Sequence, residues 1–181
     1  MVLLCLFLKY KIQHLEKKYI LNQEAANQKL HRMALELAEN LSGSNAALIL
    51  VGVKVSGLVI ANKIATLLRP YIKNEIKIIS VTLDKDMPKD VVLSENINLN
   101  DLNVLLIDDV ANSGKTLLYG LKPFLEYYPR TVQTMVMVER MHKLYPVKPD
   151  YVGLSVATTL EDHIQLEVNN DEVIGAYITH R

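Results

Sequence analysis

Two adjacent carboxylates followed by small and hydroxyl-bearing residues make Asp108-Asp109-Val110-Ala111-Asn112-Ser113-Gly114-Lys115-Thr116 the most chemically pointed stretch of the chain. It follows the apolar run Val104–Ile107, so the acids stand where a strand breaks into a turn that leads to a helix. A turn of this type aims successive backbone N–H groups and the positive helix end at one point, which is how an anion is held. Gly114 lets the backbone approach the anion with no Cβ in the way. Ser113 and Thr116 can add hydroxyl donors. The ending Gly114-Lys115-Thr116 is shared with triphosphate-binding loops, but those need a glycine five residues before Gly114, where this chain has Asp109. A carboxylate inside a triphosphate cradle would repel its ligand. The pair suits a ligand with a phosphate at one end and neutral hydroxyls beside it, such as a sugar phosphate, whose hydroxyls donate to the carboxylates.

The elements that must position this turn are legible on either side. Leu30, Met33, Ala34, Leu37, Ala38 and Leu41 have the spacing of an amphipathic helix, closed by Ser42-Gly43. Ala46–Val53 is an unbroken apolar run, expected as a strand buried on both faces. Leu58–Leu68 reads as a helix stopped before Pro70, and Ile76–Leu83 as a second strand. The polar stretch Asp84–Asp101 is expected as a long mobile loop. Beyond the acids, Thr116–Tyr128 is a helix in which Pro123 must cause a kink or a shorter element. Strands follow at Thr131–Val138 and Tyr151–Val156, with Met135 and Met137 in the core. Ile164–Val168 and Val173–Ile178 flank the turn signal Asn169-Asn170-Asp171. This alternation predicts an α/β fold, a parallel sheet with helices on both faces; a small hood from the C-terminal part is expected from the family resemblance set out below. Sites in such sheets lie beyond the carboxyl ends of the strands.

The whole-chain quantities narrow the function classes. With 181 residues, half of them hydrophobic, one core is available without staples. Twenty acidic and twenty basic residues exclude a globally basic nucleic-acid binder. A single cysteine excludes a disulfide framework and suggests a reducing, cytoplasmic setting. The apolar run Val2–Leu8 is far short of the ~20 residues that cross a bilayer. It also lacks a preceding basic region and a following cleavage site, so it reads as an added strand or helix rather than a signal peptide. Residues 1–20 are expected as an N-terminal extension and 21–181 as a single domain.

Val104–Thr116 resembles the phosphoribosyl-pyrophosphate signature of the type I phosphoribosyltransferases, and the similarity extends from about Ile20 to Val168. Within that superfamily the chain is most similar to the pyrimidine operon regulators that are also uracil phosphoribosyltransferases; the hypoxanthine-guanine enzymes come second. Leu50–Gly57 resembles the pyrophosphate loop, and Val138–His142 with Val147–Gly153 resembles the region of pyrophosphate and base contacts. The resemblance implies that Asp108 and Asp109 contact the ribose hydroxyls, with Mg²⁺ bound through the ligand, and that Ala111, Asn112, Ser113, Gly114, Lys115 and Thr116 wrap the 5′-phosphate. Val53, Lys54, Val55, Ser56 and Gly57, with a cis peptide between Val53 and Lys54, would bind pyrophosphate together with Arg140. Lys148, Tyr151 and Val152 would meet the base. His142 and His163 are expected as exposed or internally satisfied histidines, not metal ligands.

The reaction so implied moves the phosphoribosyl group of phosphoribosyl pyrophosphate to a free nucleobase, uracil-like in preference, with Leu83–Asp101 as the closing lid. Three positions depart from the family pattern. Ser56 stands where an arginine is usual. Asn112 stands where the hypoxanthine-guanine enzymes place an aspartate general base, and an amide cannot take a proton at neutral pH. Leu83-Asp84-Lys85-Asp86 replaces a Tyr-Arg-rich start of the lid. The alternative from another class is a nucleotide-sensing regulator that binds RNA, which the balanced charge does not favour. The family implies a homodimer or larger homo-oligomer.

Overall fold

The run Leu48–Val53 is buried at every residue and forms a strand, β2. Leu48 and Leu50 face one half of the core, while Ile49, Val51 and Val53 face the other. A strand with no polar face must lie inside a sheet covered on both sides. The computed structural model, which describes residues 17–84, 87–159 and 161–180, shows that arrangement. In chain order the elements are β1 (Lys18–Leu21), α1 (Gln23–Asn40), β2, α2 (Lys54–Leu68), β3 (Ile76–Leu83), β4 (Val91–Leu93), β5 (Asn103–Ala111), α3 (Lys115–Gly120), a 3₁₀ turn (Lys122–Glu126), β6 (Thr131–Arg140), β7 (Tyr151–Val156), β8 (Asp162–Asn169) and β9 (Glu172–His180).

Six strands form the main sheet in the order β4-β3-β2-β5-β6-β7, parallel except for the β3–β4 pair. The chain moves outward from β2 to β3, then returns to the other side of β2 with β5. The carboxyl ends of β2 and β5 therefore border the point where the strand order reverses, the usual ligand crevice of open α/β sheets. Leu30, Met33 and Leu37 of α1 pack with Ile60, Ile64 and Leu68 of α2 on one face. Leu117 and Phe124 cover the other. Asn22 caps α1, its Oδ1 accepting the Ala25 amide at 2.9 Å.

The remaining strands make a three-stranded antiparallel hood, β1-β9-β8. Asn170 and Asp171 turn the β8–β9 hairpin with φ of 43° and 65°, a conformation that Asn and Asp tolerate better than most residues. Ile164, Val173 and Ala176 enter the same core as α1 and α2. Lys63 of α2 and Glu172 form an ion pair that ties the hood to the sheet layer. Strand β1 straddles the boundary expected at residue 20, because its partner is the last strand of the chain.

Several local expectations are corrected. β5 does not stop at Ile107 but continues through both acids to Ala111, held by β6 alongside. α2 starts at Lys54 rather than Leu58, so most of the expected pyrophosphate loop is the first turn of a helix. There is no cis peptide at Val53–Lys54; Lys54 instead takes φ 50°. Asp84–Asp101 is not a featureless loop. It carries β4, paired with β3 through Val81↔Leu93 and Leu83↔Val91, and it buries Leu99 completely. Pro123 ends the helical run as expected: α3 stops at Gly120 and a 3₁₀ turn follows with the proline near its start. Met135 and Met137 are core residues. The run Val2–Leu8 lies outside the described residues. No helix among the described residues is long and apolar enough to cross a membrane.

Candidate functional site

The end of β5 anchors its own carboxylates. Asp108 is 2% exposed, and its Oδ1 accepts the Asp109 amide at 2.9 Å. Asp109 Oδ1 accepts the Val110 amide at 2.7 Å. Each side chain is thus fixed by a backbone donor of the following residue, which removes rotamer freedom before a ligand arrives.

The turn that follows is clamped from the β6–β7 connection. Ser113 O accepts both the Leu144 and the Tyr145 amide at 3.0 Å. Gly114 sits at φ 83°, and a Cβ there would stand 3.2 Å from Tyr145 O. Glycine is needed twice over, for the left-handed backbone and for the clearance. Ser113 Oγ accepts the Lys115 amide at 3.3 Å at the start of α3. The hood meets this turn where Asn112 Nδ2 donates to Ile164 O at 3.4 Å.

The result is a cavity of 390 Å³ lined by residues 108–117 on one side and 163–166 of β8 on the other. That size suits a sugar phosphate with a small ring attached. All the residues expected to hold the ribose and its phosphate are brought together here: Asp108, Asp109, Ala111, Asn112, Ser113, Gly114, Lys115 and Thr116.

The other expected residues are dispersed. Gly57 packs directly behind the acids, with Ile107 O 2.5 Å from where its Cβ would lie. Lys54 and Val55 are exposed and line a neighbouring 500 Å³ depression with Ser80, Thr82 and Asp171 of the hood turn. Arg140 ends β6 and donates to Thr159 O in the segment leading to the hood.

Lys148, Tyr151 and Val152 are not brought to the cavity above the acids. They line a separate 530 Å³ groove with Arg32, Glu36 and Asn40 of α1. The Tyr151 hydroxyl donates to Gln133 Oε1 at 3.1 Å and accepts Asn40 Nδ2 at 2.7 Å; burial pushes its pKa above the ordinary tyrosine value. Arg32 Nη2 donates to Val152 O at 2.6 Å, satisfying a carbonyl on the outer edge of β7. These contacts join α1 to the sheet edge. The wall opposite the carboxylates is β8, whose residues 163–166 line the cavity, a placement that the sequence reading did not give. Their only signal was membership of a strand, with nothing to say which part of the sheet it would cover.

Glu139, at the end of β6, is buried (8% exposed) beside the same groove. Burial alone would raise its carboxyl. Hydrogen bonds from Lys143 and Ser155 Oγ (2.7 Å) and the charges of Lys143 and Lys148 outweigh that and hold it below the ordinary carboxylate value. A folded-state pKa below the unfolded one means that the unfolded chain binds more protons between the two. The stabilisation is complete above the unfolded glutamate value and disappears as pH falls through the lower folded one. Glu139→Gln is therefore expected to cost about 1–3 kcal/mol at pH 7. The Tm gap between wild type and variant, read by thermal melts, should close steadily below about pH 4. A gap that stays constant into acid would show that the charge of Glu139 contributes nothing.

Compared with known proteins, the sequence matches the phosphoribosyl transferase domain family over residues 17–171. It is 28% identical over 177 residues to the "Bifunctional protein PyrR" of Bacillus subtilis, covering 90% of this chain and 97% of the relative. It is 29% identical over 170 residues to the protein of the same name from Ligilactobacillus salivarius, covering 87% and 94%. The fold is similar to that of the hypoxanthine phosphoribosyltransferase of Trypanosoma cruzi, with a TM-score of 0.76 at 13% identity over 92% of this chain and 98% of that one.

Proposed function

The chain belongs to the phosphoribosyl transferase domain family, and from that membership we propose that it transfers the phosphoribosyl group of phosphoribosyl pyrophosphate to a free nucleobase, uracil-like in preference, releasing pyrophosphate. The observation that carries this reading is the cavity at the strand-order reversal, where two backbone-anchored carboxylates adjoin a glycine turn.

Asp108 and Asp109 accept the two ribose hydroxyls through the carboxylate oxygens not held by backbone. The amides and hydroxyls of Ala111–Thr116 hold the 5′-phosphate. The base enters between this turn and β8. As its ring nitrogen bonds to C1, the C1–O bond to pyrophosphate breaks and the electron pair leaves with the diphosphate. Positive charge develops on the sugar meanwhile, beside the two carboxylates. Positioning and preorganised charge supply most of the acceleration, since little covalent work falls to the protein. Lys54 and the amides of α2's first turn, together with Arg140, serve the diphosphate, and the segment carrying β4 and Asp84 closes over it as a lid.

The family implies magnesium. Among the described residues no three His, Cys, Asp or Glu side chains gather to cage a metal. Two carboxylates at a polar cup do fit a hard cation that arrives already bound to the ligand's oxygens. Asp108 and Asp109 would face it through the sugar hydroxyls, and the ion would neutralise diphosphate charge.

The uracil preference over a purine rests on Asn112, an amide where a purine-transferring site of this family would hold a proton-accepting aspartate. The test is release of pyrophosphate from phosphoribosyl pyrophosphate and Mg²⁺ with uracil, hypoxanthine or guanine. Uracil is expected to be the best acceptor. No release with any common base would overturn the transferase reading; a purine as best acceptor would overturn the base assignment alone.

A further inference from the structure

An open sheet has two edges, and the backbone groups that point out of an edge form a template for another strand. On the β7 edge of the main sheet, Arg32 Nη2 covers that template by donating to Val152 O at 2.6 Å and to Gly153 O at 3.4 Å. The β4 edge is different. Its register with β3 is Val81↔Leu93, Thr82↔Val92 and Leu83↔Val91. In an antiparallel pair, opposite residues alternate between those that exchange backbone hydrogen bonds and those that do not. Ser94 N donates to Ser80 O at 2.8 Å, so Ser80/Ser94 and Thr82/Val92 are the bonded pairs. The N–H and C=O groups of Val91 and Leu93 therefore point away from β3, out of the sheet. Among the described residues, nothing caps them from outside. We propose that this edge pairs with the same edge of a second copy of the chain, antiparallel about a two-fold axis at Val92. The two six-stranded sheets then become one continuous sheet. This inference rests on the strand edge and is independent of the transferase reading.

Register and charge select a second copy as the occupant. With the axis at Val92, Val91 of each copy exchanges backbone bonds with Leu93 of the other. Val92 meets its own counterpart in the close, non-bonded position, with Cα atoms about 4.5 Å apart. Val92 is 61% exposed in the single chain, so this contact takes out of water apolar surface that the fold leaves there. Three residues from the axis, Lys89 comes opposite Glu95 at both ends of the interface. Both are exposed, and Glu95 already holds Lys77, so the incoming Lys89 continues an alternation of charge. Lys122 donates to Lys89 O at 3.1 Å and adds a second cation at that end. On the other face of the strand, Asp90 comes opposite Ser94. The Ser94 Oγ accepts the Ser80 amide at 3.0 Å, which leaves its hydroxyl proton to donate to that carboxylate.

Other registers lose these pairs. An axis at Val91 sets Lys89 against Leu93, and an axis at Leu93 sets Glu95 against Val91. Either one covers a charge without a partner. The flanking charges thus disfavour a foreign strand and a slipped copy while admitting this pairing. The paired segment is short and falls below the ~800 Å² per partner of a tight complex. The dimer is therefore expected to be weak, with a Kd of about 10–100 μM.

Sedimentation velocity on the full chain, from about 1 to 300 μM, should show a concentration-dependent dimer. Lys89→Glu should weaken it about tenfold, because like charges then stand opposite at both ends. Adding Glu95→Lys should make it tighter than either single variant. Cross-linking reads the register directly. With the native cysteine changed, Cys5→Ser, a Val92→Cys chain should form a covalent dimer under mild oxidant, since the two sulfurs meet across the axis. Ser94→Cys, equally exposed but opposite Asp90, should not. The cysteine variants change no charge on the edge, so they decide the matter even where a charge variant misfolds. A chain that stays monomeric to about 300 μM with no cross-link at position 92 overturns the proposal. A dimer that is indifferent to Lys89→Glu, or that cross-links equally at 92 and 94, also overturns it, by showing that any association uses another surface or register.

Discussion

Replacing Asp108 and Asp109 together by alanine is expected to weaken binding of ribose 5-phosphate compounds by 100-fold or more in titration calorimetry. Each carboxylate offers an ionised acceptor to a ligand hydroxyl, worth about 1.5–3 kcal/mol, so losing both removes roughly 3–6 kcal/mol. An opposing effect must be weighed, because the same substitution removes two negative charges from the neighbourhood of an anionic phosphate. At an effective dielectric near 20, a unit pair ~8 Å apart repels by about 2 kcal/mol before screening. The two carboxylates together repel by about 4 kcal/mol unscreened, which at ~0.15 M salt and a Debye length of about 8 Å falls to about 1.5 kcal/mol, so the hydroxyl bonds win by a margin that grows with salt. Inorganic phosphate, which has no hydroxyl pair of a sugar to offer, should bind the double variant as well as or better than wild type. That contrast separates loss of the sugar grip from collapse of the turn. Unchanged affinity for ribose 5-phosphate in a folded double variant would remove the basis of the functional reading.

Gly57→Ala is expected to be the most damaging single methyl in the site region. The added Cβ would stand 2.5 Å from Ile107 O, a backbone atom of the central strand immediately before the acids. The carbonyl cannot swing away, because β5 is held by β2 on one side and β6 on the other. Overpacking of a well-filled core costs typically about 1–3 kcal/mol, and a clash with sheet backbone belongs at or above the top of that range. For a chain of this size, a loss of about 3 kcal/mol lowers Tm by roughly 6–12 °C. Relief can come only by lifting the first turn of α2 off β5, which separates Lys54 from Asp108 and should weaken diphosphate binding as well. Gly43→Ala is the control: it has nothing within 4 Å, but its φ of 86° should still cost about 1 kcal/mol. Equal Tm losses for the two variants would show that contact with Ile107 does not limit the packing.

The cup was legible in the sequence because its chemistry is local. Asp108 to Thr116 are contiguous, and the shape of the turn comes from a left-handed glycine and the bonds that each carboxylate makes to the next residue. The buried strands were legible for a similar reason. A run such as Leu48–Val53, with no polar face, has no stable place except between two covered layers. Near neighbours in the chain contain all the information those features need.

The wall opposite the cup could not be read the same way. β8 is placed by pairing with β9, and β9 pairs with β1 at the other end of the chain, so the hood's position is set by contacts roughly 150 residues apart. Nothing around Ile164 in the sequence says that its strand, rather than another, lies opposite the carboxylates. The groove that Lys148, Tyr151 and Val152 line was hidden for a related reason, because it is the packing of α1 that turns Tyr151 toward Asn40 and sets Arg32 onto the β7 edge. Strand β4 likewise exists because β3 offered an open edge to a polar segment whose own alternation is weak. The sequence alone determined the layered α/β fold and the turn that carries the two acids, since both follow from patterns within a few residues. Only the tertiary structure decided which surface closes over the cup, because that choice depends on distant strands finding one another and burying Ile164, Val173 and Ala176 against α1 and α2.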